Sequence, residues 1–131
     1  MHLRSTLTRT KEPFASLVPG AVRMYTCGPT VYRYAHIGNL RSYLLADLLR
    51  RALLARGFDV LHVKNITDVG HLRDERFDRG EDQMLVAAKL EAKSPEDIAR
   101  CYEATFHADE ALGDNLPAHG HPRATAHIDA M

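Results

Sequence analysis

Two apolar runs on either side of a long helix-forming stretch constrain the fold of this chain more than any other feature. The first run, Val22 to Thr26, alternates apolar and polar side chains and ends at a Cys-Gly-Pro turn, as a strand commonly does. From Asn39 to Arg56, leucines recur at i, i+4 spacing, which predicts an amphipathic helix. Phe58 to Val63 then predicts a second strand. This order predicts a βαβ unit with parallel strands, and hence an α/β fold.

The helix between these strands is predicted to bury a broad leucine-rich face and to end at Gly57, a left-handed cap. A short edge strand is predicted over residues 3–8, broken at residues 11–14. Parallel sheets are normally covered on both faces, so these strands alone leave a sheet incomplete. We therefore predict an exposed apolar patch where further strands would dock, with dimerisation, a partner chain or poor solubility as the consequence. The buried helix positions are predicted to be Leu40, Leu44, Leu48 and Ala52, with Leu45, Leu49 and Leu53 beside them.

Further helices are predicted after the second strand. Gly80 to Lys93 has helical spacing of its apolar residues. Ser94 and Pro95 then supply an N-cap and a proline at the first helical position of another helix, which extends to about Leu112. Gly113 to Pro122 is predicted to be a loop.

Composition is that of a globular domain without a strong charge bias. The 131 residues are 45% apolar and 26% charged, which is typical of one soluble domain. Seventeen basic and seventeen acidic residues give no overall basic excess for holding a nucleic-acid backbone. Cys27 and Cys101 form no disulfide framework, and no long apolar span is present, so we expect a reducing cytoplasm and no membrane association. Cys101 is interpreted as inert core.

The turn between the first strand and the helix has features of a phosphate-binding site. The first turn of a helix has free backbone N–H groups and the positive end of the helix dipole, which together favour an anion. Gly38 has no Cβ, so a ligand can approach the backbone closely. His36 and Asn39 are three residues apart, which places their donors on one side of the turn. We therefore predict that this turn binds nucleotide phosphate.

Two motifs at this turn resemble the signature of class I aminoacyl-tRNA synthetases, and specifically of the cysteinyl-tRNA synthetase family: Cys27-Gly-Pro-Thr-Val-Tyr32 and His36-Ile-Gly-Asn39. Asn39 stands where the commonest form of the signature has a second His. Further matching blocks are Asn65 to Leu72 and Pro122 to Ile128. The resemblance implies a partial Rossmann-like (HUP-type) nucleotide-binding fold, in which a βαβ unit is followed by a helical segment. Residues 1–131 would be the incomplete N-terminal portion of the catalytic domain.

This resemblance also implies a reaction and roles. The family activates cysteine with ATP, accompanied by Mg²⁺, to cysteinyl-adenylate, and transfers the cysteinyl group to tRNA(Cys). Cys27 would bind a Zn²⁺ ion that takes the substrate thiolate, and Thr67 would contact the amino acid. The other zinc ligands would lie after residue 131, which leaves the zinc site incomplete in this chain. His36 and Asn39 would act as catalytic residues on the ATP phosphates, within a nucleotide site formed by Gly28, Pro29, Thr30, His36, Gly38 and Asn39.

Alternatives to these interpretations stay open. A ligase that joins cysteine to an amino sugar in thiol biosynthesis shares the fold and the zinc use, although the amino-acid sequences of the two motifs favour the tRNA ligase. A truncated, non-catalytic module that binds a nucleotide or a partner is the third possibility. At single residues, Thr67 and Asp68 can instead cap the next turn, and Tyr32 and Arg41 can be scaffold.

Overall fold

A computed structural model describes residues 1–69 and 94–130. The predicted helix over Gly80 to Lys93 and the end of the Asn65 to Leu72 block lie outside the described residues. Within them, no helix combines the length and the apolar character needed to cross a membrane. The elements are β1 (His2–Arg4), β2 (Lys11–Pro13), β3 (Ala21–Thr26), α1 (Ile37–Leu54), β4 (Asp59–Lys64), α2 (Pro95–Leu112) and a 3-10 helix (Thr125–Ala130).

The predicted βαβ unit is confirmed. Strands β3 and β4 pair in parallel along their whole length, from Ala21 opposite Asp59 to Thr26 opposite Lys64, and α1 lies between them in the chain. The helix begins and ends two residues earlier than predicted, and Gly57 has the predicted left-handed backbone with φ of 81°. Parallel pairing places the turns after β3 and β4 at the same edge of the sheet.

The N-terminal prediction is only partly confirmed, because a short strand forms at His2–Arg4 and not over residues 3–8. Strand β1 pairs antiparallel with β2, with His2 opposite Pro13 and Arg4 opposite Lys11, so the segment predicted to break a strand is itself a strand. The chain reverses between them, where the Ser5 N–H donates to the Thr10 carbonyl at 3.0 Å. Pro13 is tolerated because proline fits the end or edge of a short sheet, where a missing N–H costs little.

The loop predicted over residues 113–122 is confirmed, and its end also pairs with β4 through an isolated bridge at Gly120. The His119 N–H donates to the His62 carbonyl at 2.8 Å, and the Lys64 N–H donates to the Gly120 carbonyl at 3.0 Å. Beyond the strand, the Ile66 N–H donates to the Pro122 carbonyl at 2.8 Å. Strand β4 therefore lies between β3 and segment 119–124. Its backbone groups thus have hydrogen-bond partners on both edges of the strand.

The buried face of α1 differs from the predicted leucine face. Two buried side chains are polar: Asp47 accepts from the Leu116 N–H at 2.9 Å, and Arg50 donates to the Pro117 carbonyl at 2.8 Å. The backbone of this loop needs hydrogen-bond partners, which leucine cannot supply. The exposed leucines of α1 contradict the predicted buried face, whereas the apolar patch predicted at the docking edge of the sheet stays a prediction. Of the predicted face only Leu53 is fully buried, whereas Leu44, Leu45 and Leu48 are exposed.

The core lies where α2 packs against the start of α1 and the turns after β3 and β4. Helix α2 has its predicted bounds, and the Ser94 hydroxyl caps it by accepting from the Asp97 N–H at 3.1 Å. The interpretation of Cys101 as core is wrong, because its side chain is exposed. The buried core residues are Val31, Tyr43, Ile66, Ile98, Ala99 and Phe106.

Candidate functional site

The N-terminus of α1 begins with a reciprocal cap formed by His36 and Asn39. The Nδ1 atom of His36 accepts from the Gly38 N–H at 3.0 Å, and the Oδ1 atom of Asn39 accepts from the His36 N–H at 3.1 Å. A neutral imidazole that accepts at Nδ1 carries its proton on Nε2. The cap therefore fixes the ring so that Nε2–H of His36 and the amide NH₂ of Asn39 are the donors each side chain can offer a ligand.

Gly38 is required by this cap itself. A Cβ atom at Gly38 would lie 2.9 Å from Cε1 and 3.0 Å from Nδ1 of His36. A side chain at this position would thus push the imidazole away from the helix N-terminus. The close approach of a ligand to Gly38 stays a prediction.

The turns after β3 and β4 are joined to each other, as the common edge predicts. The Gly28 N–H donates to the Asn65 side-chain oxygen at 3.1 Å, and the Thr67 N–H donates to the Pro29 carbonyl at 2.9 Å. The Val31 N–H returns a bond to the Thr67 carbonyl at 3.0 Å. A Cβ atom at Gly28 would lie only 1.9 Å from the Asn65 carbonyl oxygen, so this contact depends on glycine.

A pocket of about 280 Å³ lies beside the start of α1. Its wall contains residues 27–30 and 32–35 together with Asn39 and Tyr43. The predicted residues Cys27, Gly28, Pro29, Thr30 and Asn39 are therefore brought together. His36, Gly38 and Thr67 are not among the described residues that line it.

Tyr43 is a pocket residue that sequence reasoning missed. It is buried at the back of the pocket, and its ring packs edge-on against Phe106 with the centroids 5.3 Å apart. Burial raises the pKa of Tyr43 to about 12, helped by the nearby Cys27 and Glu110, so its hydroxyl stays protonated. The sequence did carry a signal that Tyr43 belongs to the site, because a tyrosine among leucines lies four residues after Asn39 and so on the same side of the helix.

Cys27 is exposed at the pocket wall, where its thiol donates weakly to the Gly28 carbonyl at 3.6 Å. The described residues contain one group of three side chains that could hold a metal ion, and Cys27 is not in it. The residues present therefore do not form a complete zinc site around Cys27. Its role as a zinc ligand stays a prediction.

The two residues after Ile66 have different partners. The Oδ1 atom of Asp68 accepts from the Thr125 N–H at 2.9 Å, and its Oδ2 atom accepts from the Thr125 hydroxyl, so Asp68 caps the 3-10 helix. The alternative, that Asp68 caps the next turn of the chain, is not what these bonds show, because the capped element lies 57 positions away. The Thr67 hydroxyl accepts from the Asn65 amide at 3.0 Å, and its contact with an amino acid stays a prediction.

Behind the pocket, β4 buries two basic side chains that sequence reasoning missed. Lys64 forms an ion pair with Glu110, and its ammonium lies 4.9 Å from the centre of the Tyr43 ring. Nε2 of His62 is 2.8 Å from the Thr26 hydroxyl. Burial, reinforced by the Lys64 charge, lowers the pKa of His62 to about 4, so the ring is neutral near pH 7. The sequence carried a signal for this burial, because His62 and Lys64 follow buried Val60 at intervals of two residues, and such residues share one face of a strand.

Comparison with known proteins first defines the class. Residues 13–131 match the family of tRNA synthetases class I (C) catalytic domains, and the chain belongs to this family. The α/β content and the parallel strands agree with that assignment.

The particular relatives are cysteine–tRNA ligases. The chain is 49% identical over 119 residues to the cysteine–tRNA ligase of Novosphingobium aromaticivorans, covering 90% of this chain and 24% of that protein. It is 46% identical to the enzyme of Treponema denticola and 47% identical to that of Thermus thermophilus, covering 100% and 96% of this chain and 26% of each relative. The chain thus spans about a quarter of the length of these relatives.

Proposed function

We propose that this chain provides the ATP-phosphate turn and the cysteine subsite of a cysteine–tRNA ligase. The observation that best supports this function is the cap formed by His36 and Asn39 beside a pocket whose wall includes Cys27. In the reaction, a carboxylate oxygen of cysteine attacks the α-phosphorus of ATP, pyrophosphate leaves, and the cysteinyl group of the adenylate passes to the 3′ end of tRNA(Cys). The βαβ unit is then the beginning of a Rossmann-like nucleotide-binding sheet.

His36 is proposed to stabilise charge rather than to transfer a proton. Its Nδ1 atom is occupied by the Gly38 N–H, so Nε2–H is the donor that can face the phosphates. The positive end of the α1 dipole points the same way. A fixed donor and a fixed dipole stabilise the negative charge that builds on phosphoryl oxygens without reorganising during the reaction. Mg²⁺ is expected to accompany ATP.

Cys27 and Thr67 are proposed to select the amino acid. A zinc ion, when bound, prefers a thiolate to a hydroxyl or methyl group, which discriminates cysteine from serine and valine. Cys27 would supply one ligand, and the others would come from outside the described residues. Thr67 lies just after the carboxyl end of β4, and its backbone hydrogen bonds hold residues 29–31 in place. We expect the chain to act in the cytoplasm, where tRNA is aminoacylated.

The direct test is ATP–pyrophosphate exchange that depends on cysteine, measured with zinc present on a full-length relative that carries residues 1–131 of this chain and on its His36→Ala variant, because the chain alone is expected to be incomplete for catalysis. We expect exchange to fall by at least ~100-fold in the variant, the loss typical of removing one such donor. His2→Ala, which removes an exposed histidine on β1, is the control and should keep full exchange. Absence of exchange with retained ATP binding would favour the non-catalytic nucleotide module. Exchange that His36→Ala leaves intact would refute the role of the cap.

The acceptor distinguishes the tRNA ligase from the amino-sugar ligase. The relatives are named cysteine–tRNA ligases, which favours tRNA. We expect pre-formed cysteinyl-adenylate, presented by a full-length relative that carries residues 1–131 of this chain, to be consumed by tRNA(Cys) and not by glucosaminyl-inositol. Consumption by the amino sugar alone would reverse the assignment.

A further inference from the structure

A second cluster of ligand-type side chains lies where α2 meets segment 119–124. His107 and Glu110 stand three residues apart on α2, and His121 comes from the segment that pairs with β4. One potential ligand atom from each of the three lies within 4.8 Å of the others. The rings of His107 and His121 meet edge to face with centroids 4.6 Å apart. None of these residues lines the pocket that contains Cys27.

One feature of this cluster indicates a ligand. Nε2 of His121 is buried and has no hydrogen-bond partner in residues 1–69 or 94–130, although a buried ring nitrogen normally has one. A metal ion bound there would give this nitrogen a partner. Next to the cluster, Glu103 bonds to Arg123, and its other carboxylate oxygen is 4.0 Å from Nε2 of His107, which is too far for a hydrogen bond.

Lys64 is the cation present in this cluster. Its ammonium contacts one carboxylate oxygen of Glu110, and both side chains are buried. Glu110 has a second carboxylate oxygen, so it can bind a metal either alongside the ammonium or by releasing it. In both cases, the charge of Lys64 opposes a bound cation, and removal of that charge should strengthen binding.

We propose that His107, Glu110 and His121 bind a divalent transition metal ion such as zinc, and that Lys64 holds Glu110 when the metal is absent. Two imidazoles and one carboxylate are ligands that such ions accept. The donor atoms must converge from their present spacing to reach ligand distances of about 2.0–2.2 Å, which side-chain rotations allow. The bound ion would join α2 to segment 119–124 and so to β4, independently of any metal at Cys27.

The test uses the chain with Cys27→Ser and Cys101→Ser, which removes both thiols as competing ligands. Binding of Co²⁺ is followed by its visible absorption, and binding of Zn²⁺ by calorimetry. We expect one bound ion, with the affinity lowered more than about tenfold by His121→Gln or Glu110→Gln, a loss that follows even when only a hydrogen-bond partner of a ligand is removed. His127→Ala, which removes an exposed histidine on the 3-10 helix, should leave the affinity unchanged.

Lys64→Met provides a result of opposite sign, because we expect it to raise the affinity for Co²⁺. A second readout is the melting temperature, which Zn²⁺ should raise in the parent chain but not in His121→Gln. Affinity that both His121→Gln and Glu110→Gln leave unchanged, or absence of any bound ion, would overturn the site. If these variants lose binding while Lys64→Met gains none, the competition by Lys64 is refuted.

Discussion

The two sides of α1 reverse the usual pattern, because polar side chains are buried on one side and leucines are exposed on the other. Toward the loop that ends in segment 119–124, Asp47 and Arg50 are only 5% and 8% exposed. On the other side, Leu45 is 69% exposed and Leu48 is 55% exposed. The polar side is buried because the loop presents an N–H and carbonyl groups that need partners, and the apolar side has no covering layer among the described residues. Hydropathy alone therefore does not identify which side of a helix contacts its own domain.

The exposed leucines form an apolar surface on α1. An apolar face on a helix is normally buried against a second layer. The chain spans about a quarter of the length of its relatives, and we propose that a second copy or a partner chain supplies the missing layer. The following predictions test the contrast between the two sides, beginning with the largest expected effect.

Leu53→Ala should destabilise the chain most. Leu53 is the buried leucine of α1, so its truncation leaves a cavity and should lower the free energy of unfolding by about 2–5 kcal/mol. The matched substitution Leu45→Ala on the exposed side should change it by less than about 0.5 kcal/mol. Urea unfolding followed by circular dichroism measures both values. Equal losses would mean that the two sides do not differ as described.

Arg50→Ala should have the next largest effect. The guanidinium donates to the carbonyls of Leu116 and Pro117 at 3.3 and 2.8 Å, and its loss should cost about 1.5–3 kcal/mol, since these are bonds from a charged donor. Arg56→Ala is the control, because exposed Arg56 bonds within the described part of the chain only to the carbonyl of Ala52, one turn earlier, and should change stability by less than about 0.5 kcal/mol. A similar loss in both variants contradicts the role of the buried polar side.

The buried histidine of β4 makes stability depend on pH. Because the pKa of His62 is lowered to about 4 in the folded chain, the unfolded chain takes up a proton first as pH falls below about 6.5. This group should therefore reduce stability progressively between about pH 6.5 and pH 4, with no further loss below that. His62→Gln should flatten this part of the stability profile, measured by urea unfolding at several pH values. An unchanged slope would show that His62 is not the group responsible.

Leu45→Lys with Leu48→Lys should change stability least but association most. Both side chains are exposed, so charge there costs the folded chain little. We expect the parent chain to associate with increasing concentration in sedimentation velocity, and the double variant to stay monomeric. A parent chain that is monomeric at all concentrations would rule out a second copy as the covering layer.

The local elements could be predicted because their signals are local. The alternation before Cys27, the leucine spacing of α1 and the Ser94-Pro95 start of α2 each specify an element, and the structure contains all three. The turn containing His36 and Asn39 could be predicted for the same reason, since a cap involves residues three apart.

What could not be predicted depends on partners distant in the chain. The burial of Arg50 follows from a carbonyl 67 positions away, and Lys64 is buried by Glu110, 46 positions away. The sequence predicts a loop over segment 119–124, because its pairing with β4 leaves no periodic pattern of apolar residues. Residues with such partners are found only when the topology is known.

The most direct measurement for the central claim is a titration of ¹⁵N-labelled chain with ATP, observed by NMR, in parallel with His36→Ala. We predict saturable shifts concentrated at the amides of Gly28, Gly38 and Asn39, and weaker binding in the variant with the same fold. Shifts confined to other regions, or equal binding by both chains, would contradict the assignment of this helix N-terminus as the ATP-phosphate site.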